Sequence, residues 1–178
     1  SNICGMIPFL LDLSSYLRIN IIKYEYPKNY NIRNKEKSLV ECTFSVISYA
    51  YGCQEIKNII LCGYCIGVYL NYKAIEILEK SKSFKSKLKK IVNISPMWCF
   101  DQTVVKKMFH VRKYSNFISN LQDKTNYNLK VSTFVSHGVK DKIIGYMLSM
   151  NICSKLNFVY EWYPKEADHY NLIFGNGY

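Results

Sequence analysis

Arginine, proline and acidic residues are scarce in this sequence of 178 residues, whose formal net charge is +11. Three of the 24 basic residues are arginines, and there are 13 acidic residues and four prolines. Proteins that read nucleic acid favour arginine, because its guanidinium makes bidentate contacts to bases and phosphates. The shortage of arginine therefore argues against a nucleic-acid partner. The abundant lysine, asparagine, isoleucine and tyrosine share AT-rich codons, so we interpret much of the charge as codon bias.

Long hydrophobic runs are also missing. The best one covers residues 59–70, whereas a membrane-spanning helix needs about 20 apolar residues. No secretory signal is visible, so we interpret the seven cysteines, an odd number, as mostly unpaired thiols in a reducing, cytoplasmic setting. The apolar fraction of 49% is sufficient for one globular domain with a sizeable core.

The densest basic segment runs from Lys80 to Lys90. We favour an interpretation in which its lysines face water on a connection that leads into a strand. Peripheral contact with an anionic membrane surface, on the cytosolic side, is the alternative.

Strand and helix patterns alternate along the chain. Apolar, β-branched and aromatic segments predict strands at residues 19–26, 58–62, 91–95, 131–136 and 158–163. Helical spacing of apolar residues predicts helices at residues 35–51, 68–80 and 143–156. This alternation indicates an α/β protein with a mainly parallel sheet flanked by helices.

Three reactive side chains follow predicted strands, which is where sites form in parallel sheets. Cys65 follows the strand at residues 58–62, Asp141 follows the strand at residues 131–136, and His169 follows the strand at residues 158–163. Their order along the chain is nucleophile, acid, base. Each residue also has a purely structural interpretation. Cys65 would be a cysteine in a tight glycine turn, Asp141 an ordinary aspartate before a helix, and His169 a histidine in a loop.

The segment from Gly63 to Gly67 has the spacing of a nucleophile elbow, Gly-x-nucleophile-x-Gly, between a strand and a helix. The two glycines would permit close packing of strand against helix. The N–H of Ile66 would then point at a developing oxyanion near the positive end of the helix. A thiol at Cys65 would be favoured as thiolate by the same helix end and by a nearby imidazole.

Cys62 and Cys65 also form a Cys-x-x-Cys motif, which is typical of thioredoxin-like oxidoreductases. We disfavour that function because Cys62 is predicted to be the last inward residue of its strand. The rest of the chain also lacks the antiparallel strands of such a fold. A zinc site is disfavoured too, since no second ligand pair has metal-binding spacing.

Other polar residues near these motifs have simpler interpretations. We interpret His137 as structural and Asp168 as a loop carboxylate, while His110 has no partner motif. Asp141 would orient the histidine and stabilise its protonated form, and His169 would act as the base.

Five motifs in this order resemble the α/β-hydrolase superfamily, and in particular its intracellular branch, which includes protein depalmitoylases and is related to serine-aminopeptidase-like hydrolases. They are the strand at residues 20–26, the elbow at 59–67, the Ser-Pro strand ending at 94–96, the acid loop at 137–144, and the histidine loop with its tail at 168–178. The resemblance covers essentially the whole chain.

The resemblance implies an ester or thioester hydrolase with Cys65 as nucleophile, Asp141 as acid and His169 as base. Its substrate would be a small molecule or an acylated protein, and no cofactor or metal is implied. The second oxyanion donor would lie at Asn2 or Ile3. Residues 97–128 match the position of the cap or lid in that family.

Two departures from the family pattern qualify this prediction. The family usually has serine at the elbow, so Cys65 makes an inactive scaffold the alternative to a hydrolase. The chain also opens inside the oxyanion motif and stops where a last helix is expected. We therefore interpret residues 1–178 as a partial domain that lacks the family's first three strands, the third of which would lie in the sheet between the strands predicted at residues 19–26 and 58–62.

Overall fold

The computed structural model describes residues 3–26, 35–78, 84–98, 131–154, 156 and 159–174. Its helices are α1 (Ile3–Leu17), α2 (Lys35–Gly52), α3 (Ile66–Leu78), α4 (Phe84–Lys87), α5 (Tyr146–Cys153) and α6 (Asn171–Phe174). Its strands are β1 (Ile59–Tyr64), β2 (Leu88–Ile94), β3 (Ser132–Ser136) and β4 (Val159–Trp162). None of these helices is long and apolar enough to cross a membrane.

The four strands form one parallel sheet in the order β1-β2-β3-β4. The predicted α/β class with a parallel sheet is therefore confirmed. Because all four strands run in one direction, their carboxyl ends meet at the same edge of the sheet, where Tyr64, Ile94, Ser136 and Trp162 are neighbours in register. Residues that follow these strands are thereby brought close together.

The prediction of a strand at residues 19–26 is wrong. These residues are neither helical nor paired with any strand in the described part of the chain. Their β-branched and aromatic composition favours extended backbone, but a strand also needs a neighbour for its ladder hydrogen bonds. Instead the segment packs on α2, where the Tyr24 hydroxyl donates to Thr43 Oγ1 at 3.0 Å and Tyr26 contacts the cluster around Leu39.

The core lies on one face of the sheet, beneath α2 and α3. Leu61, Ile91 and Val135 point into it from three neighbouring strands, and they meet Val68 of α3 and Trp98. Burying each such side chain contributes roughly 1.5–3 kcal/mol. This packing fixes α3 against β1 and so holds the turn between them.

The opposite face of the sheet is much more exposed, and it includes Ile60, Phe134, Tyr160 and Trp162. Cys62 also lies on this face and is exposed, so the prediction that it points inward is wrong. Because β1 is apolar on both faces, no alternation in the sequence shows which of its residues face the core. The cysteines described by the structure are unpaired, namely Cys42, Cys53, Cys62, Cys65 and Cys153.

Part of the lysine-rich segment is described. Lys87 Nζ donates to the carbonyl oxygens of Tyr51 and Cys53, at 2.8 and 2.9 Å, and lies 5.2 Å from the ring centre of Tyr51. It therefore stabilises the C-terminal end of α2, where carbonyls lack intrahelical partners. Lys89 and Lys90 are exposed.

Candidate active site

Cys65 occupies the single-residue turn between β1 and α3, with a φ of 54°. Residues other than glycine rarely adopt such a left-handed conformation, which costs about 1–3 kcal/mol. Three backbone hydrogen bonds hold it there. The Cys65 N–H donates to the Ile94 carbonyl at 3.0 Å, and its own carbonyl accepts from the N–H groups of Val68 and Met97, both at 3.1 Å.

Gly63 and Gly67 differ in what they do at this turn. A Cβ at Gly63 would lie 2.8 Å from both the Cα and the N of Val68, so only glycine allows β1 to approach α3 this closely. A Cβ at Gly67 would lie 3.8 Å from the Tyr26 hydroxyl, which is an ordinary contact. The predicted packing role therefore applies to Gly63 and not to Gly67.

The first residue of α3 is Ile66. The N–H groups in the first turn of a helix have no acceptor within the helix. The N–H of Ile66 is one of these groups, and Ile66 directly follows Cys65 in the chain. Asn2, the other predicted oxyanion residue, lies outside the described residues. Ile3 is the first residue of α1.

Asp141 and His169 are directly hydrogen-bonded. His169 Nδ1 lies 2.7 Å from Asp141 Oδ2, while Asp141 Oδ1 accepts the N–H groups of Ile143 and Ile144, each at 2.8 Å. Burial alone would raise the pKa of Asp141. Hydrogen bonds from His137, from His169 and from the Ile144 N–H outweigh burial and hold that pKa well below its usual range.

His169 interacts with Cys65 as well as with Asp141. Burial alone would lower the pKa of His169, whose exposure is 2%. The hydrogen bonds to Asp141 and to the Cys65 sulfur, together with the charges of both groups, raise the pKa to about 9. Since Nδ1 faces Asp141, Nε2 is the nitrogen left for the thiol.

His137 lies on the other side of the same carboxylate and is fully buried. Its Nε2 is 3.0 Å from Asp141 Oδ2 and 2.9 Å from the Ile144 carbonyl oxygen, and its Nδ1 is 2.7 Å from Ser149 Oγ. Trp98 Nε1 donates to the same Ser149 oxygen at 3.0 Å. The residue predicted to be structural thus contacts the predicted acid directly.

The acid loop is joined backbone to backbone to the segment at residues 164–167, which leads into the histidine loop. The N–H groups of Val139 and Lys140 donate to the carbonyls of Pro164 and Ala167, at 3.1 and 2.9 Å. A Cβ at Gly138 would lie 2.6 Å from the carbonyl carbon of Ala167. Glycine at this position therefore permits the approach that brings Asp141 to His169.

Two further groups hold the histidine loop. Asp168 Oδ1 accepts the N–H groups of Tyr170 and Asn171, at 2.8 and 2.9 Å, and these bonds lower the pKa of Asp168. Asp168 therefore caps the turn of α6 instead of competing with Asp141. The Tyr64 hydroxyl donates to the His169 carbonyl oxygen at 2.7 Å.

Apolar side chains surround Cys65, whose own exposure is 6%. Met97 and Ile144 are buried against it, with Ile66 and Ile143 partly buried beside them. Met97 and Trp98 belong to the segment predicted as a cap or lid, yet both are buried in the domain. Residues 99–130, which include His110 and the rest of that segment, lie outside the described residues.

The structure thus brings Cys65, Asp141 and His169 to one edge of the sheet, as the sequence predicts. The contacts at this edge that sequence reasoning did not predict are those of Tyr64, Trp98, Gly138 and Ser149. His137 carried a usable signal, because it stands four residues before Asp141 at the end of a strand. The others have no local signal, since their contacts join distant parts of the chain.

No family model and no curated protein matches the sequence. Solved structures do match the fold. A proposed hydrolase from Agrobacterium vitis S4 is 14% identical, with a TM-score of 0.64 and coverage of 92% of this chain and 76% of that one. The α/β hydrolase domain-containing protein 10 from mouse is 14% identical, with a TM-score of 0.61 and coverage of 92% and 77%. An α/β serine hydrolase homologue from Coxiella burnetii is 12% identical, with a TM-score of 0.58 and coverage of 93% and 68%.

At these identities the likeness concerns the fold. The chain therefore has the α/β-hydrolase fold, which is the fold that its motifs resemble.

Proposed function

We propose that this chain is a hydrolase that cleaves a carboxylic ester or an acyl-thioester, with Cys65 as nucleophile. The observation that carries the proposal is the 2.7 Å pair of His169 Nδ1 and Asp141 Oδ2, with His169 within interaction range of the Cys65 sulfur. A nucleophile, a base and a carboxylate that orients the base are what acyl transfer requires. Here the three side chains follow three different strands of one parallel sheet.

In the first half-reaction, His169 Nε2 takes the proton of the Cys65 thiol. The sulfur attacks the acyl carbonyl carbon, and the carbonyl electron pair moves onto oxygen. When the tetrahedral intermediate collapses, the bond to the leaving group breaks, and His169 gives its proton to the departing alcohol or thiol. The product of this half-reaction is an acyl group bound to Cys65 as a thioester.

In the second half-reaction, His169 takes a proton from water as the water oxygen attacks the thioester carbonyl. Collapse of this intermediate breaks the carbon–sulfur bond, releases the carboxylic acid and returns the proton to Cys65. Asp141 stays ionised and supports the protonated imidazole in both half-reactions, in keeping with its lowered pKa.

The oxyanion of each intermediate would be held by the N–H of Ile66. This N–H follows the nucleophile directly and lies at the positive end of α3. Asn2 or Ile3 would supply the second donor, as the resemblance implies. A donor of this kind typically changes the rate by about 10²–10³-fold.

With its pKa raised to about 9, His169 is mostly protonated at neutral pH, and only its neutral fraction can take the proton of the Cys65 thiol. The substrate would be an acylated small molecule or an acylated protein.

Turnover of acyl-esters and acyl-thioesters by the full chain tests the proposal. We expect Cys65→Ala to lower kcat/KM by about 10³-fold or more. The matched control is Cys62→Ala, which removes an exposed thiol from the preceding strand and should leave turnover unchanged. Far-UV circular dichroism would show that both variants are folded.

Three other outcomes would overturn the proposal. If turnover survived Cys65→Ala, Cys65 would not be the nucleophile. If no ester or thioester were cleaved by the unmodified chain, an inactive scaffold would be favoured. A disulfide reductase activity lost on Cys62→Ala would instead indicate a Cys-x-x-Cys oxidoreductase.

A further inference from the structure

A second imidazole lies on the carboxylate that orients His169. His137 Nε2 and His169 Nδ1 approach the same oxygen, Asp141 Oδ2, at 3.0 and 2.7 Å. The His137 side chain is fully buried, so water cannot replace any hydrogen bond that it loses. Its neighbours therefore have to satisfy both of its ring nitrogens.

The contacts of His137 determine which nitrogen carries its proton. Nε2 faces two acceptors, Asp141 Oδ2 and the Ile144 carbonyl oxygen, neither of which can donate. Nε2 therefore has to be the protonated nitrogen. In the neutral ring, Nδ1 is then the acceptor.

Ser149 and Trp98 complete this arrangement. Trp98 Nε1–H can only donate, and it donates to Ser149 Oγ at 3.0 Å. The Ser149 hydroxyl can then donate its own proton to His137 Nδ1, 2.7 Å away. Every donor in the series therefore has an acceptor. The hydrogen bonds are donated in one order, from Trp98 to Ser149, from Ser149 to His137 and from His137 to Asp141.

We propose that His137 is a positioning residue, which holds the Asp141 carboxylate towards His169, and that Ser149 and Trp98 hold His137 in the tautomer that allows this. The inference rests on the proposed function, in which Asp141 supports His169. His137 itself touches no reacting atom in that mechanism.

The two oxygens of the Asp141 carboxylate have different donors, and this shows why His137 is needed to hold the carboxylate towards His169. Oδ1 is held by the N–H groups of Ile143 and Ile144, so it faces its own loop. Oδ2 is the oxygen that meets His169, and His137 is the group of the acid loop that donates to it. An apolar side chain at position 137 would leave this charged oxygen in contact with hydrocarbon on one side. Because a buried charge without a donor is costly, the carboxylate would then be less stable in the position that faces His169.

Nitrogen NMR of the full chain with ¹⁵N-labelled histidine tests the inference without any substrate. The sequence has three histidines, so the spectrum holds three imidazoles, and substitution of each assigns its signals. We expect His137 to show a protonated Nε2 and a hydrogen-bonded, unprotonated Nδ1. The second readout is the midpoint of the His169 titration.

Two substitutions of His137 form a matched pair, because one keeps a hydrogen-bond donor at this position and the other removes it. His137→Gln can place an N–H where Nε2 now lies, so the His169 titration should keep its midpoint. His137→Leu removes the donor at similar size, so the midpoint should fall by about one pH unit. Asp141→Asn is the reference, and it should lower the midpoint at least as much.

Ser149→Ala keeps the inference testable if the Leu variant does not fold. The Ser149 hydroxyl is one of the two sets of contacts that favour the Nε2-protonated tautomer, so without it we expect the second tautomer to become detectable. The His169 midpoint should fall in the same direction as in the Leu variant.

Three results separate the inference from the proposed function. A His137 ring protonated on Nδ1 alone would overturn the inference. An unchanged or higher His169 midpoint in folded His137→Leu and Ser149→Ala, with a fall in Asp141→Asn, would overturn it and leave the Asp141–His169 pair intact. No fall in Asp141→Asn would instead contradict the pair on which the proposed function depends.

Discussion

The Tyr64 hydroxyl donates a 2.7 Å hydrogen bond to the backbone carbonyl oxygen of His169. The two rings also lie 5.2 Å apart, centre to centre. Burial raises the pKa of Tyr64, so its hydroxyl stays protonated and remains a donor through the neutral range. The residue that precedes Cys65 therefore holds the loop that carries His169.

Substitution of Tyr64 by phenylalanine should loosen this loop while keeping the ring. We expect kcat for ester or thioester hydrolysis to fall several-fold with KM little changed, since about 1 kcal/mol of positioning energy is lost. The matched control is Tyr160→Phe, because Tyr160 is an exposed tyrosine of β4. Equal kinetics in both variants would show that the Tyr64 bond does not position His169.

Gly138 offers a test of how the acid loop and the histidine loop are joined. An added Cβ would lie 2.6 Å from the Ala167 carbonyl carbon, and backbone atoms cannot move aside as a side chain can. Gly138→Ala should therefore lower the free energy of unfolding by about 2–3 kcal/mol and separate Asp141 from His169. Urea unfolding measures the first effect, and the His169 titration measures the second.

The control for this substitution is Gly145→Ala, at the start of α5. A Cβ there would meet no atom within 4 Å, and the φ of −65° suits alanine. We expect a change of no more than about 0.5 kcal/mol. A loss as large as that of Gly138→Ala would mean that the close approach to Ala167 is not the cause.

Sequence reasoning recovered the parts of this fold that are encoded locally. Short apolar segments and their turn residues predicted the four strands, and the Gly63–Gly67 spacing predicted the turn at Cys65. Because parallel strands share one carboxyl edge, those local patterns also predicted that Cys65, Asp141 and His169 would meet.

The features that were missed depend on neighbours distant in sequence. Residues 19–26 have the composition of a strand, but pairing depends on a partner that composition does not reveal. The contact of Gly138 with Ala167 and the bond of Trp98 to Ser149 each join segments many residues apart. Cys62 was assigned to the wrong face because β1 is apolar on both.

The raised pKa of His169 predicts how stability depends on pH. A histidine whose pKa is higher in the folded state than its usual 6.5 binds a proton more tightly when folded. Its contribution is complete below about pH 6.5 and is lost as pH rises through about 9. The free energy of unfolding should therefore fall across this range, by at most about 3 kcal/mol.

Urea unfolding at several pH values measures this effect in the unmodified chain and in His169→Gln. We expect the difference in stability between the two proteins to be largest near pH 6.5 and to shrink towards pH 9. Groups that titrate in this range without interacting with His169 contribute equally to both proteins and cancel in the difference. A difference that stays constant with pH would contradict the raised pKa.

Substitution of Lys87 tests whether the lysines of the basic segment stabilise the fold or bind a membrane surface. Its ammonium donates to the Tyr51 and Cys53 carbonyls at the end of α2, whereas exposed Lys89 donates to Ser86, three residues before it. Lys87→Met keeps the length of the side chain but removes both bonds and the charge. It should lower the free energy of unfolding by about 1–2 kcal/mol, because helix carbonyls lose their donor.

Lys89→Met removes the same charge from a neighbouring surface position, so it is the matched control for Lys87→Met. We expect its effect on unfolding to stay within about 0.5 kcal/mol. Sedimentation with vesicles containing anionic lipid distinguishes the alternative, in which the segment contacts a membrane. In that case each lysine would contribute similarly, by about 1 kcal/mol near the surface, so both variants would bind more weakly than the unmodified chain. Equal destabilisation by the two substitutions would show that the α2 contact of Lys87 has no special weight.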